Sequence, residues 1–492
     1  MTAMDASPRR ISISLLAHTN VGKTTLTRTL LGADVGEVRD AAHVTESAEG
    51  HELIAAEGHA LWLWDTPGFG DSVRLARRLE ASAQPVLGFL RDTWDRLADR
   101  AFWCSQQAMR NAREEADVVL YLASAAEPPG RTGYLDAELR ILGWIGKPVI
   151  VLLNQMGAPR APEAEAAEIS HWRAALAAHD FIRDVLPLDA FARCWVQESA
   201  LWWSVEHALD ASLKPAMRAL HAAWRLRRER TFASSMQVLA DFLAAAAADR
   251  EPVDDPGLST RLREWVRSAV TGAGDDAESR ARARLAARLD VAATDALRRL
   301  VALHGLEGDA AARIADEIAT LQVLDAPIST ARGGVIGGAL GGVALGLKAD
   351  LATGGLSFGA GLLVGGVLGA LGGAGIVRGV NKLRGSEAPV VSWSAEALAR
   401  LSRDAVLRYL AVAHFGRGRG AWREIGAPAH WAAAVDAEAT PAEGAGTNAP
   451  RATVAATELG ALAGAVLRRI YPQAAAWLPA LPPARRHADG AD

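Results

Sequence analysis

The sequence predicts an α/β domain built on a mostly parallel sheet with helices on both faces. An all-α C-terminal region containing a glycine-zipper helical hairpin is expected to follow. Three observations carry this. The first is a strand–turn–helix unit, "ISISLLAHTNVGKTTL", near the N-terminus. The second is a series of short apolar runs separated by helix-period patterns, the signature of parallel strands with crossover helices. The third is glycine: 17 of the 46 glycines lie between Gly333 and Gly375, so the excess is local and marks a module.

The predicted strands come in order. Ile11–Leu16 opens the sheet and Leu61–Trp64 follows in "HALWLWDTPGFGDS". Further strands are expected in "DVVLYLA" from Asp117, in "PVIVLLN" ending at Asn154, and in "DVLPLDA" from Asp184. Between Asp65 and Asp117 the stretch "VLGFLRDTWDRLADRAFWCSQQAMRNAREE" has apolar residues at helical spacing, which predicts one or two additional helices.

Composition narrows the class. The 492 residues are half apolar and 22% charged, as in a globular protein of several domains. A net charge of −4 offers no basic face, so no nucleic acid is expected as a partner. Cys104 and Cys194 lack metal-ligand spacing and read as buried thiols in a reducing cytoplasm. The N-terminus does not read as a secretory signal, because its short apolar stretch runs straight into the phosphate-loop motif.

The turn "AHTNVGKT" fits the phosphate-binding pattern GxxxxGK(S/T), with Ala17 in place of the first glycine. Backbone N–H groups of the Asn20–Thr25 stretch, including Val21, Gly22 and Thr25, would face a β-phosphate at the positive end of the following helix. Lys23 would bridge β- and γ-phosphate oxygens, and the Thr24 hydroxyl would ligate Mg²⁺. Asp65, at a strand end before Thr66-Pro67-Gly68, stands where a further magnesium ligand belongs, and the Gly68 N–H would sense the γ-phosphate.

The order of loop, DTPG and strand-terminal asparagine resembles the Era-like P-loop GTPases of the translation-factor-related class, over roughly residues 10–209. The segments "VGEVRDAAHVTE", "LLNQMG" and "LPLDAFARCW" are similar to a bacterial family in which an Era-like GTPase domain precedes a C-terminal domain of unknown function. That resemblance implies GTP and GDP as ligands, Mg²⁺ as cofactor, and Thr45 as the switch threonine that ligates Mg²⁺ when a γ-phosphate is present. It also implies catalytic roles for Lys23, Thr45 and Gly68.

Three departures matter. The base-reading NKxD motif is Asn154-Gln155-Met156-Gly157 here, so the guanine-reading carboxylate is missing and guanine preference should be shallow. Asp189 either substitutes for it or caps a following helix. Phe69 stands where several GTPases keep a water-orienting glutamine, so intrinsic turnover should be slow. Asn20 either helps hold K⁺ against the phosphates, as the resemblance implies, or simply tolerates an unusual turn. An activating protein or a homodimer is the other route to faster hydrolysis.

The expected organisation is a GTPase domain over 8–212, a helical region over 213–330, the glycine-rich hairpin over 331–385, and a helical region over 386–480 with a linker near 436–452. In the hairpin, Gly334, Gly338, Gly342 and Gly346 recur every four residues, as do Gly361, Gly365, Gly369 and Gly373. Such strips let helices pack closely in membranes. The second arm, Gly355 to Val377, would reach about 34 Å, enough to span, and the first about 22 Å. Arg280, Arg284 and Arg288 form a helix stripe that reads as a solvated face or a contact with anionic lipid. The leading expectation is a cytoplasmic GTPase switch on the inner face of the inner membrane, with membrane lipids or a membrane protein as partner. A dynamin-like membrane-remodelling or pore-forming protein is one alternative, and a soluble ribosome- or RNA-associated GTPase another.

Overall fold

The computed structural model describes residues 8–32, 47–91, 99–130, 133–156, 160–189, 194–253, 277–306, 376–380, 389–415, 429–439 and 456–472. Thr45, Gly157, the linker near 436–452 beyond residue 439, and the glycine strips from Gly333 to Gly375 lie outside them. The chain divides into two compact units. The first comprises Met1–Arg230, Ala413–Trp422 and Leu467–Pro479, and the second Thr231–Val412, Arg423–Val466 and Ala480–Asp492.

The first unit is built on a six-stranded sheet of β1 (Arg10–Ala17), β2 (Glu49–Ala56), β3 (His59–Asp65), β4 (Val118–Ser124), β5 (Val149–Asn154) and β6 (Ile182–Pro187). Their order is β2-β3-β1-β4-β5-β6. All neighbours are parallel except β2 and β3, which form a hairpin. That hairpin turns on Glu57 at φ 53° and Gly58 at φ 80°. Two central residues at positive φ match the right-handed twist of the strands they join. Every residue of β4 and β5 is buried, as expected for central parallel strands covered on both faces.

Helices α1 (Lys23–Leu31), α2 (Ser72–Glu80), α3 (Pro85–Arg91), α4 (Arg100–Glu114), α5 (Leu135–Ile145), α6 (Pro162–Leu176) and α7 (Trp195–Ala208) complete the layers. Helices α3 and α4 occupy the stretch in which one or two additional helices were expected. Local chemistry sets their ends. Asp71 caps α2 by accepting from Arg74 N at 3.0 Å, and Gly32 closes α1 in the left-handed region at φ 67°. Between α7 and the first part of α8 (Lys214–Ala248), Trp202 meets Trp224 edge-on at 6.4 Å. There Arg228 also pairs with the buried Glu198 at 3.2 Å.

The second unit corrects one expectation. The C-terminal half is largely helical, with α9 (Ala277–Leu303), α10 (Ala395–Ala413), α11 (Ala429–Glu438) and α12 (Ala456–Ile470), but it is not all-α. It contains a three-stranded antiparallel sheet, β7 (Arg250–Pro252), β9 (Pro389–Trp393) and β8 (Ile376–Val380), in the order β7-β9-β8. Ile376 and Val377, expected at the end of a helical arm, pair instead with Trp393 and Ser392. Two residues of the arginine stripe are ion-paired within the unit. Arg284 Nε and Arg288 Nη1 each reach Glu251 at 2.5 Å, and Arg288 Nη2 reaches Asp249 at 2.8 Å. The apolar side of the same helix, through Leu285 and Leu289, is buried.

Candidate functional site

The site forms where β1 and β3 end side by side. Their parallel register sets Leu15 against Asp65, so the loop after β1 and the segment after β3 leave the sheet together. The two continue as partners beyond the regular strands. Phe69 N donates to Ala17 O at 3.0 Å, and Thr19 N donates to Phe69 O at 3.2 Å. Thr66 Oγ1 donates to Leu15 O at 2.6 Å.

The phosphate loop has the backbone its sequence calls for. Asn20 adopts φ 65° and Gly22 φ 95°, both left-handed. At Gly22 a side chain would also collide, since a Cβ there would lie 2.9 Å from Asn154 Nδ2. Asparagine is among the few non-glycine residues that visit this region readily, which accounts for Asn20 without reference to a ligand. Asn154, fully buried at the end of β5, donates to Val21 O at 2.6 Å and so props the loop from beneath.

Lys23 and Asp65 are both buried. Lys23 Nζ donates to His18 O at 3.4 Å, and Thr24 Oγ1 donates to Asp65 Oδ2 at 2.6 Å. Asp65 Oδ1 is buried and accepts no hydrogen bond among the described residues. Burial pushes the Lys23 ammonium below its ordinary value, with Asp65 and Glu138 opposing. Burial likewise pushes the Asp65 carboxyl up, against the Thr24 hydrogen bond and the Lys23 charge. Anionic phosphate beside Lys23 and a divalent cation beside Asp65 would relieve both penalties. A buried carboxylate oxygen without a donor, next to a threonine hydroxyl, is a donor set that suits Mg²⁺. Gly68 closes the arrangement: a Cβ there would sit 2.9 Å from Lys23 Nζ and 3.0 Å from Thr19 Cα. Thr25 lies buried one residue further into α1.

The segment that follows β5 is held by side chains from the end of β4 and from beyond β6. Gln155 sits at φ 57°, and its Oε1 accepts from Ser124 Oγ at 2.7 Å. Asp189 reaches the same segment, its Oδ2 accepting from Met156 N at 2.9 Å. The structure thus brings together Asn20, Val21, Gly22, Lys23, Thr24, Asp65 and Gly68, and sets Asn154 and Asp189 beside them. Phe69 is 1% exposed and belongs to the core. One group that the sequence did not single out is Glu138, fully buried beneath the phosphate loop.

Residues 12–155 match the family described as 50S ribosome-binding GTPase. Residues 173–453, more than half of the chain, match the family described as Domain of unknown function (DUF3482). The chain belongs to the DUF3482 family. It is a DUF3482 protein whose N-terminal part is a GTP-binding P-loop GTPase domain, a fold that implies GTP hydrolysis and Mg²⁺ with the nucleotide. No curated protein matches the DUF3482 chain. Among solved structures it is similar to an Era variant from Aquifex aeolicus bound to GDP·AlF₄⁻, at 20% identity and TM-score 0.30, over 41% of this chain and 57% of that one. It is also similar to the FeoB G-domain from Methanococcus jannaschii, at 17% identity and TM-score 0.22, over 44% and 99% of the two chains. The cytosolic domain of L. pneumophila FeoB gives 20% identity and TM-score 0.25, over 40% and 69%. The chain therefore spans little more than half the length of the Era structure.

Proposed function

We propose that this protein is a GTP-driven switch in which the DTPG segment reports the γ-phosphate to α2. The observation that carries the proposal is the pairing of the two loops. Thr24 is hydrogen-bonded to Asp65, and a Cβ on Gly68 would lie 2.9 Å from Lys23 Nζ and 3.0 Å from Thr19 Cα, so the two loops are closely apposed. Lys23 would hold β- and γ-phosphate oxygens, Thr24 and Asp65 would hold Mg²⁺, and the backbone of Val21 to Thr25 would cradle the β-phosphate. Mg²⁺ supplies charge neutralisation at the phosphates when bound. Thr45 remains the proposed switch threonine, outside the described residues. Asp189, whose Oδ2 accepts from Met156 N at 2.9 Å, is the proposed base-side carboxylate. Calorimetry with the purified chain tests this: GDP should bind more tightly than ADP, and more tightly than IDP, which lacks the exocyclic amine. Equal affinity for GDP and IDP would remove Asp189 from base reading, and equal affinity for ADP would remove the guanine assignment.

Turnover should be slow, because Phe69 is packed in the core and offers water no polar group. Asn20 is the proposed K⁺ ligand. Hydrolysis is then expected to run at least several-fold faster in KCl than in NaCl, with Asn20→Ala removing the difference. Matching rates in the two salts would leave an activating protein or a second copy of the chain as the route.

The proposal extends to the cytoplasmic face of a membrane. Two features support this: the glycine-rich segment, and α8, the one described helix long and apolar enough to cross a bilayer by length and composition. Half of the apolar window of α8 is buried inside the protein, which favours the glycine segment as the contact. Full-length protein should resist carbonate extraction from membranes, and a chain lacking residues 333–377 should be soluble. A soluble, monodisperse full-length chain without detergent would overturn this part. A second reading follows from the description of the family matched by residues 12–155, which is ribosome-binding. Co-sedimentation with 50S subunits in a GTP-dependent manner would favour it.

A further inference from the structure

Phe69 stands where a water-orienting glutamine is found in several GTPases, and it lies in the core. Its partner across the two loops is His18. Phe69 N donates to Ala17 O and Thr19 N donates to Phe69 O, which sets His18 and Phe69 in parallel register. Register partners in a parallel ladder project to the same face, so the His18 side chain emerges beside that of Phe69. The His18 carbonyl accepts from Lys23 Nζ at 3.4 Å, which ties this residue to the proposed ligand of the γ-phosphate. A polar side chain thus stands directly across from the position where phenylalanine offers water nothing.

The imidazole is oriented by its surroundings. Nδ1 lies 2.8 Å from Oε1 of Glu138, a fully buried residue of α5. The same carboxylate accepts from the Tyr121 hydroxyl of β4 at 2.6 Å and from the hydroxyl of Ser72, the first residue of α2. Burial, followed by the Glu138 charge, holds the Tyr121 hydroxyl far above its usual range, so it remains a donor. With a hydroxyl donor on each oxygen the carboxylate is an acceptor throughout, and His18 carries a proton on Nδ1. The ring stacks on Tyr134, centroids 4.1 Å apart and planes 14° from parallel. Its Nε2 makes no hydrogen bond among the described residues, and the side chain is 25% exposed while that of Glu138 is 0% exposed. In the neutral ring Nε2 therefore holds a lone pair, aimed away from Glu138. A carboxylate on one nitrogen and an open acceptor at the other is the arrangement that suits a general base.

We infer that His18 Nε2 is the base that orients and deprotonates the water attacking the γ-phosphate, with Glu138 as the positioning residue behind it. The oxygen of that water bonds to the γ-phosphorus. The bond from the γ-phosphorus to the bridging oxygen breaks, its electron pair staying on GDP, and the water's proton passes to Nε2. The imidazolium so formed faces the Glu138 carboxylate, and its proton returns to solvent through the exposed edge of the ring. The inference rests on the GTPase reading proposed above.

The test is single-turnover GTP hydrolysis by the full chain with Mg²⁺ in KCl, alongside GTPγS affinity by calorimetry. His18→Ala should slow hydrolysis about a hundredfold while GTPγS affinity stays near the parent's. Two further variants separate catalysis from support. His18→Asn places an amide nitrogen where Nδ1 stands, so it keeps a donor for Glu138 but has nothing at Nε2. His18→Gln reaches the Nε2 position instead. A base at Nε2 predicts that His18→Asn is as slow as His18→Ala and that His18→Gln is several-fold faster than either. Glu138→Gln should lower the rate in the parent and change it little in the His18→Ala background. A His18→Ala rate within tenfold of the parent overturns the inference, as does a His18→Asn rate near the parent's or a His18→Gln rate no faster than that of His18→Asn. If His18→Ala does not fold, the His18→Asn and His18→Gln pair still decides. A parent chain that binds GTP yet does not hydrolyse it also overturns the role of His18. Failure of the parent to bind GTP or GDP would instead overturn the GTPase reading itself, so the two failures are distinguishable.

Discussion

Lys23→Ala should abolish nucleotide binding while leaving the fold intact. The ammonium is buried with a carbonyl contact of 3.4 Å and an Asp65 carboxylate nearby, and burial already disfavours its charge. The protein alone thus gains little from this side chain. Phosphate oxygens gain much, because hydrogen bonds to charged groups are worth about 1.5–3 kcal/mol each. Losing two of them predicts a fall in affinity of at least about a hundredfold. Calorimetry with GDP and GTPγS measures the loss, and an unchanged melting temperature shows the fold is retained. Affinity within tenfold of the parent would mean that the phosphates lie elsewhere.

Asn154→Ala should act in the opposite manner, on stability first and on all nucleotides equally. Its Nδ2 donates to Val21 O at 2.6 Å from a fully buried position, and a Cβ on Gly22 would strike the same atom. Truncation leaves a buried carbonyl without its donor beneath the loop, a loss of about 1–3 kcal/mol. The melting temperature should fall, and affinities for GDP, IDP and ADP should fall by a common factor. A selective loss of GDP binding with no change in melting would instead assign Asn154 to the base.

The phosphate site was legible because its chemistry is local. Gly22, Lys23 and Thr24 are consecutive, and Asp65 ends a strand whose apolar run is unmistakable. The central parallel strands were legible for a related reason: buried on both faces, they read as unbroken apolar segments. Strand β2 escaped notice because "EGHELIAA" is mostly half-exposed at the sheet edge, carries an irregularity between Glu52 and Ile54, and turns on Glu-Gly rather than Asn-Gly. The small second sheet escaped because β7 has three residues, β8 and β9 five each, and β7 finds its partner about 140 residues along the chain. Propensity over so few residues says little. Glu138 could not be found at all, since "LDAELR" reads as the charged face of an ordinary helix. Only the tertiary fold brings Tyr121, His18 and Ser72 onto its carboxylate.

That small sheet has a consequence for how the chain would behave when cut. Strand β7 and helix α9 precede residues 307–375, while β8, β9 and α10 follow them, yet β9 pairs with both β7 and β8. Phe232 of α8 meets Tyr409 of α10 at 5.4 Å, and Ser235 meets His304 at 3.3 Å, within the same unit. Contacts thus join the part of the unit that precedes residue 307 to the part that follows residue 375. A single protease nick in that stretch should yield two polypeptides that migrate separately in denaturant yet elute as one species under native conditions. The same contacts mean that the stretch leaves from and returns to one body. If it enters a bilayer, it must cross an even number of times or not at all.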